Sequence, residues 1–233
     1  MKFEPPLIEG RLIERYKRFF ADIELADGSV VTAHCANTGS MAGLKEPGNR
    51  AWVSKASNPN RKLKYDWRIV EVGGAMVGIH TAIPNTIVEE ALIAGNIPEL
   101  AGYDSLRREV KYGQNSRIDF LLESEGRRPC YVEVKSITFS RERGLAEFPD
   151  SPTARGTKHL GELQAMAEGG ARAVMLYAIQ RDDCSRFSIA ADVDPAYQIA
   201  LTHARKSGVE SLAYACNMSI DEISISTRVK IVE

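Results

Sequence analysis

The chain has 233 residues, 44% hydrophobic and 26% charged, with a formal net charge of −1. That balance is ordinary for a globular protein and excludes a generally sticky polycation. No apolar run reaches the roughly 18 residues a membrane helix needs, and the length suffices for one large or two small packed domains.

Charge is unevenly spread. Residues 1–82 hold 12 Lys and Arg against 9 Asp and Glu, +3 net, whereas residues 83–233 hold 18 against 22, −4 net. A basic module followed by an acidic, cation-binding one fits that split. The four cysteines, Cys35, Cys130, Cys184 and Cys216, form no CxxC pair and read as scattered reduced thiols. The opening Met1-Lys2-Phe3-Glu4-Pro5-Pro6 lacks the apolar core of a secretory signal, so a cytoplasmic protein without membrane attachment is expected.

Residues 11–82 read as all-β. Arg11–Phe19 mixes apolar and charged positions, and Ala21–Leu25 alternates cleanly. Asp27-Gly28 is a hairpin turn into Val30–Cys35. Asn37–Met41 is a loop and Pro47-Gly48 a turn, followed by strands at Ala51–Lys55 and Trp67–Val72. Gly73-Gly74 then turns the chain into Ala75–Ile79. Five or six short strands in this space predict a small barrel of the oligonucleotide-binding (OB) type. Six cations, Arg50, Lys55, Arg61, Lys62, Lys64 and Arg68, surround one acid, Asp66, with Trp52, Tyr65 and Trp67 interleaved. Cations that track phosphates beside aromatics that stack bases suit single-strand binding. The alternative is tryptophans in the barrel core and charges on a solvated loop, with Asn58-Pro59-Asn60 at its exposed tip.

A helix follows Pro84-Asn85. Thr86 to Glu89 has capping-box spacing, which gives Glu89 a structural task and leaves Glu90 without one. Ile87, Ala91 and Ile97 form its buried side. Arg107–Tyr112 is the next strand, leading through Gly113-Gln114-Asn115 to two runs, Arg117–Leu122 and Cys130–Ile137, joined by a polar turn. Alternation puts Asp119 with Leu121, opposite Ile118, Phe120 and Leu122, and puts Tyr131, Glu133, Lys135 and Ile137 on one face. Paired strands lie about 4.8 Å apart, so Asp119 and Glu133 could share one cation. The bland alternative is a solvated Glu133–Lys135 pair, with Asp119 met by Arg117 or a backbone donor. An Asp and then Glu-x-Lys on the next strand resembles the PD-(D/E)XK nuclease superfamily, in which a helix before the first strand often adds an acid. Glu90 is the candidate for that acid, a plain surface glutamate the alternative.

Residues 141–156 read as a long loop, a lid or substrate segment. Lys158–Met166 reads as a helix with His159, Glu162, Leu163 and Met166 on one face and Lys158 paired to Glu162. His159 reads more readily as packed than as a ligand. Ala173–Ile179 is a buried central strand. A helix over Pro195–Lys206 and strands at Ser211–Cys216 and Ile223–Val229 complete an α/β arrangement around a mixed sheet. Internal repeats, GxGxxG, GxSxG and the P-loop pattern are absent from the sequence.

Several segments, in order, resemble the sugar fermentation stimulation protein family. They are Phe3–Leu7, Cys35–Met41, Pro84-Asn85 with Glu90-Ala91-Leu92, Arg107–Gly113, Arg117–Phe120, Tyr131–Ser136, Phe148–Thr153, and Arg155-Gly156 with Lys158-His159-Leu160. The resemblance implies an α/β (α+β) protein, with an N-terminal OB-like barrel over 1–82 and a PD-(D/E)XK nuclease-like domain over 83–233. It also implies DNA binding, single- or double-stranded, and regulation of sugar-utilisation genes. Asp119, Glu133 and Lys135 fall on the nuclease signature. The expected cofactor is Mg²⁺ or Mn²⁺, held by Asp119 and Glu133 with Glu90, and the expected DNA footprint is Arg50, Trp52, Lys55, Arg61, Lys62, Lys64, Trp67 and Arg68. A homodimer is among the assemblies this allows. Two functions remain open, a metal-dependent nuclease and a non-catalytic DNA-binding regulator, with a carbohydrate- or protein-binding barrel as a third.

Overall fold

The computed structural model describes residues 1–58 and 60–232; Pro59, placed above at a loop tip, lies outside them, while its neighbours Asn58 and Asn60 are exposed. Six strands build the first unit: β1 (Ile8–Tyr16), β2 (Phe20–Leu25), β3 (Val30–His34), β4 (Arg50–Lys55), β5 (Tyr65–Val72) and β6 (Ala75–Gly78). They pair in the order β3-β2-β1-β4-β5-β6, and a parallel contact of Ala33 with Tyr65 and His34 with Asp66 closes the barrel. Alternating side chains from these strands, among them Leu12, Ile23, Val53, Trp67, Val70 and Val77, fill its interior.

Helix α1 (Ile83–Ile93) and one 3₁₀ turn (Pro98–Leu100) lead to β7 (Ser105–Tyr112), β8 (Ser116–Glu123) and β9 (Cys130–Ile137). Then come β10 (Phe139–Glu142), β11 (Leu145–Phe148), α2 (Ala154–Glu168), β12 (Arg172–Ile179), β13 (Arg186–Ile189), α3 (Pro195–Lys206), β14 (Glu210–Met218), β15 (Ile223–Arg228) and β16 (Lys230–Ile231). The main sheet runs β15-β14-β12-β9-β8-β7, with β9, β12 and β14 parallel. In β12, Val174, Leu176 and Ala178 face a core shared with α1 and with Phe3, Trp52 and Ile69, while Ala173, Met175, Tyr177 and Ile179 face α2 and α3. Cover on both faces explains its continuous apolar run. Among the described residues no helix is long and apolar enough to cross a membrane.

Three local expectations are corrected. Helix α1 begins at Ile83 behind Ala82, with no side-chain cap, so Thr86 lies inside it and no capping box forms; Glu89 instead pairs with Arg108 at 2.6 Å. Residues 141–156 are not one open loop: β10 and β11 form a hairpin, and β11 pairs in parallel with β13. Its stabilising partner lies some 40 residues further on in the chain, beyond the reach of a local pattern. Helix α2 starts four residues earlier than Lys158, because the Thr153 hydroxyl accepts the Gly156 N–H and caps it.

Candidate functional site

Alternation along β8 breaks at Asp119. Phe120 and Leu122 pack on the α1 side, but Ile118 joins Leu121 on the α2 side, against the expectation that it would sit with Phe120. Opposite Asp119 in β7 is Glu109, in the left-handed region at φ 52°, and neither residue takes part in the β7–β8 pairing. The β8–β9 pairing runs from Leu122–Cys130 to Phe120–Val132. At its end Asp119 Oδ2 accepts the Val134 N–H at 2.7 Å, as a side chain in the place of a backbone acceptor. Its Oδ1 accepts from Asn85 Nδ2, also at 2.7 Å. Asn85 is therefore the α1 residue that meets Asp119. Glu90 does not: its carboxylate pairs with the Met1 amino group at 2.6 Å and is 52% exposed.

Glu133 and Lys135 meet inside the protein. Lys135 Nζ donates to Glu133 Oε1 at 2.7 Å, with the two side chains 13% and 4% exposed, so the pair is no solvated surface bridge. His159 Nδ1 also contacts Glu133 Oε1 and lies 3.4 Å from Lys135 Nζ, while Arg155 Nε lies 3.4 Å from His159 Nε2. Glu133 Oε2 is buried without a partner. Burial pushes the Glu133 carboxyl up, but the hydrogen bonds and charges of His159 and Lys135 outweigh it and hold the group below its usual range. Asp119 is shifted upward, by burial and then by the charge of Glu133. Burial, and then the charges of Glu133, Glu162 and Asp119, raise the Tyr112 phenol, whose hydroxyl is buried without a partner.

Sequence reasoning named Asp119, Glu133 and Lys135 but gave no site task to Asn85, His159 or Tyr112. A signal existed on α2: His159 and Glu162 are polar positions on an otherwise apolar stripe and both are buried. Among the described residues no three His, Cys, Asp or Glu side chains are drawn into a ready cage. The fit to a cation therefore rests on the donor set. Carboxylate oxygens, one of them an orphaned buried Oε2, are the hard ligands that Mg²⁺, Mn²⁺ or Ca²⁺ accept.

The proposed barrel footprint divides. Trp52 and Trp67 are 3% and 0% exposed, and the Trp67 indole donates to the Ile69 carbonyl, so neither offers a face to a base. Arg50 bridges Glu9 at 2.9 Å and Glu71 at 2.7 Å, with its guanidinium 4.9 Å from the Trp52 ring centre. Arg61 grips the buried Asp66 at 2.9 and 3.0 Å, and Arg68 donates to Ser54. Lys55, Lys62 and Lys64 are exposed. Two further exposed cations, Lys111 and Arg117, are direct cross-strand partners at the site end of the β7–β8 hairpin. Like charges placed opposite each other repel, and Arg117 donates to the Glu109 carbonyl at 3.3 Å.

A closed OB-like barrel followed by a mixed sheet, with an Asp at a strand break and Glu-x-Lys on the neighbouring strand, defines a protein with a PD-(D/E)XK nuclease-like fold. Two family models match the chain: the SfsA N-terminal OB domain over residues 13–79 and the sugar fermentation stimulation protein RE domain over residues 82–222. The chain belongs to the sugar fermentation stimulation protein family. A homologue from Maricaulis maris is 58% identical over 219 residues, spanning 94% of this chain and 93% of the relative. One from Agrobacterium fabrum is 55% identical over 233 residues, spanning 100% and 98%. The solved structure of Pyrococcus furiosus SfsA in complex with Ca²⁺ superposes with a TM-score of 0.90 at 27% identity, covering 100% of this chain and 98% of that one.

Proposed function

We propose that this protein binds DNA and hydrolyses its phosphodiester bonds with Mg²⁺ or Mn²⁺, residues 1–82 serving as binding module and 83–233 as catalytic module. One observation carries the reading: Glu133 commits Oε1 to Lys135 and His159 and leaves Oε2 buried with no partner, beside Asp119 at the opening of the strand pair. Leaving one oxygen of a buried carboxylate without a partner costs about 1–3 kcal/mol, which a bound cation would recover. That the Pyrococcus furiosus relative was solved in complex with Ca²⁺ supports a divalent cation as a ligand of this fold.

Asp119 and Glu133 would hold the ion, which when bound neutralises phosphate charge and acidifies water. The chain supplies the rest. Asn85 and the Val134 N–H fix the Asp119 carboxylate, and His159 fixes that of Glu133. Lys135, anchored on Glu133, aims its ammonium where a phosphate oxygen or attacking water would sit, a positioned charge that needs no reorganisation during reaction. Phosphates would be tracked by Lys55 and Lys62 on the barrel and by Lys111, Arg117 and Lys158 beside the acids. A non-catalytic, DNA-binding regulator is the second reading, favoured by Asp119, whose two oxygens each already accept a hydrogen bond.

The test is incubation of the chain with plasmid and oligonucleotides in Mg²⁺ or Mn²⁺, beside Asp119→Asn and Lys135→Ala. Cleavage by the parent and its loss in both variants is the expected result. DNA left equally intact by all three, with retention on a gel preserved, leaves the regulator.

A further inference from the structure

Seven side-chain nitrogen or oxygen atoms are buried without a hydrogen-bond partner among the described residues, and four of them fall in one place: Tyr112 Oη, Glu133 Oε2, Glu162 Oε1 and Glu162 Oε2. They come from three elements, β7, β9 and α2. Buried polar atoms are nearly always satisfied, so such a concentration needs a cause.

Glu162 is the outlier. It sits one helical turn beyond His159, on the same face of α2, and His159 touches Glu133, so a single helix face carries both groups to one neighbourhood. The turn after β7 closes over it. Gly113 has φ +51°, and a Cβ there would lie 3.0 Å from Glu162 Cγ and 3.1 Å from its Oε1. The adjacent Tyr112 hydroxyl feels the charges of Glu133, Glu162 and Asp119 together. Lys158 pairs with Glu162 Oε1 at 3.6 Å, as its i,i+4 spacing predicts, but it is half exposed and also donates to the Gln114 carbonyl, and Glu162 Oε2 is left without a partner. Glu133 meets the ammonium of Lys135 and the imidazole of His159, and the charge of Lys135 reaches Asp119. A trapped water would satisfy one of these oxygens; a divalent cation would take the orphaned oxygens of Glu133 and Glu162 together. Carboxylates stand apart while they repel one another and draw in around such an ion.

We infer that Glu162 is a third carboxylate ligand of the cation site proposed above, reaching from α2 to the ion that Asp119 and Glu133 face. This rests on the proposed cation site and adds to it the residue that would set its affinity. Tyr112, beside the acids, is placed to sensitise terbium luminescence.

The experiment is a Tb³⁺ titration of the whole chain, excited through tyrosine and displaced with Mg²⁺, for the parent, Asp119→Asn and Glu162→Gln. Far-UV circular dichroism and thermal midpoints in EDTA accompany it. Glu162→Gln is expected to weaken the ion by about 10–100-fold, the range seen when a group supporting a metal is lost. Its midpoint in EDTA should hold or rise, because a buried carboxylate with unpartnered oxygens is gone. An unchanged ion affinity in Glu162→Gln overturns this inference alone. A Glu162→Gln chain that fails to fold also overturns it, since the protein itself would then be holding that charge. A parent that binds neither Tb³⁺ nor Mg²⁺ removes the cation site and the proposed nuclease with it.

Discussion

Glu133→Gln and Asp119→Asn separate two carboxylates that the signature treats alike. Glu133 is 3% exposed and its Oε1 is shared by Lys135 and His159. Removing its charge strands the Lys135 ammonium, itself only 13% exposed. Breaking such a buried pair costs about 3–5 kcal/mol; the lower end applies here, because glutamine keeps an acceptor and Lys135 keeps some contact with water. Asp119 behaves in the opposite sense. Burial and the charge of Glu133 raise its carboxyl, so neutralising it relieves repulsion, while asparagine loses one of two accepted hydrogen bonds, about 1 kcal/mol. Its net change should stay within about 1 kcal/mol. In urea at pH 7 with EDTA, followed by far-UV circular dichroism, a slope of about 2–3 kcal/mol per molar gives a midpoint roughly 1 M lower for Glu133→Gln and under about 0.5 M displaced for Asp119→Asn. The pH dependence has a definite sign. The lowered Glu133 carboxyl contributes stability that is present above its ordinary 4.5 and lost as pH falls through the folded value, so the Glu133→Gln deficit shrinks on acidification. The raised Asp119 carboxyl contributes below its ordinary 3.8 and loses that contribution as pH rises through its folded value. Equal midpoints for the two variants would refute the assignment of different environments.

Three other outcomes follow from the same structure. Trp67→Phe should lower the thermal midpoint but leave DNA retention unchanged, since the ring is wholly buried; a loss of about tenfold in affinity would restore a stacking role. Lys111→Glu and Arg117→Glu should each flatten the dependence of DNA affinity on salt, measured by fluorescence anisotropy, by close to one phosphate contact, about 0.9 in log–log slope; no change in slope removes them from the footprint. Burial and then the charge of Arg68 lower His80 to about 4 from 6.5, so the unfolded chain takes up that proton first and stability declines as pH falls from about 6.5 to 4. His80→Gln should flatten the thermal midpoint across that window, and an unaltered profile contradicts it.

The barrel strands, the central β12 and helix α3 were legible because local patterning and burial agree: alternation with Gly turns marks the barrel, and a seven-residue apolar run marks a strand covered on both faces. The Glu133–Lys135 contact was legible from spacing alone. What the pattern could not carry was non-local. Asp119 leaves the alternation at the point opposite Glu109, a residue of another strand with a left-handed backbone. The tryptophans looked like a stacking platform because their neighbours in sequence are basic, whereas Asp66 draws Arg61 inward and the strand pleat buries both rings. Capping-box spacing assigns Glu89 and the nuclease resemblance assigns Glu90, but their ion partners, Arg108 and Met1, are remote in the chain. The roles of His159 and Glu162 depend on α2 docking across β9, which no window of sequence contains.

Crystals soaked in Mn²⁺ and measured at the manganese absorption edge decide whether these carboxylates hold a cation. One anomalous peak is expected, coordinated by Asp119 and Glu133 and approached by Glu162. A soaked crystal with full manganese occupancy elsewhere and no peak between those carboxylates would contradict it.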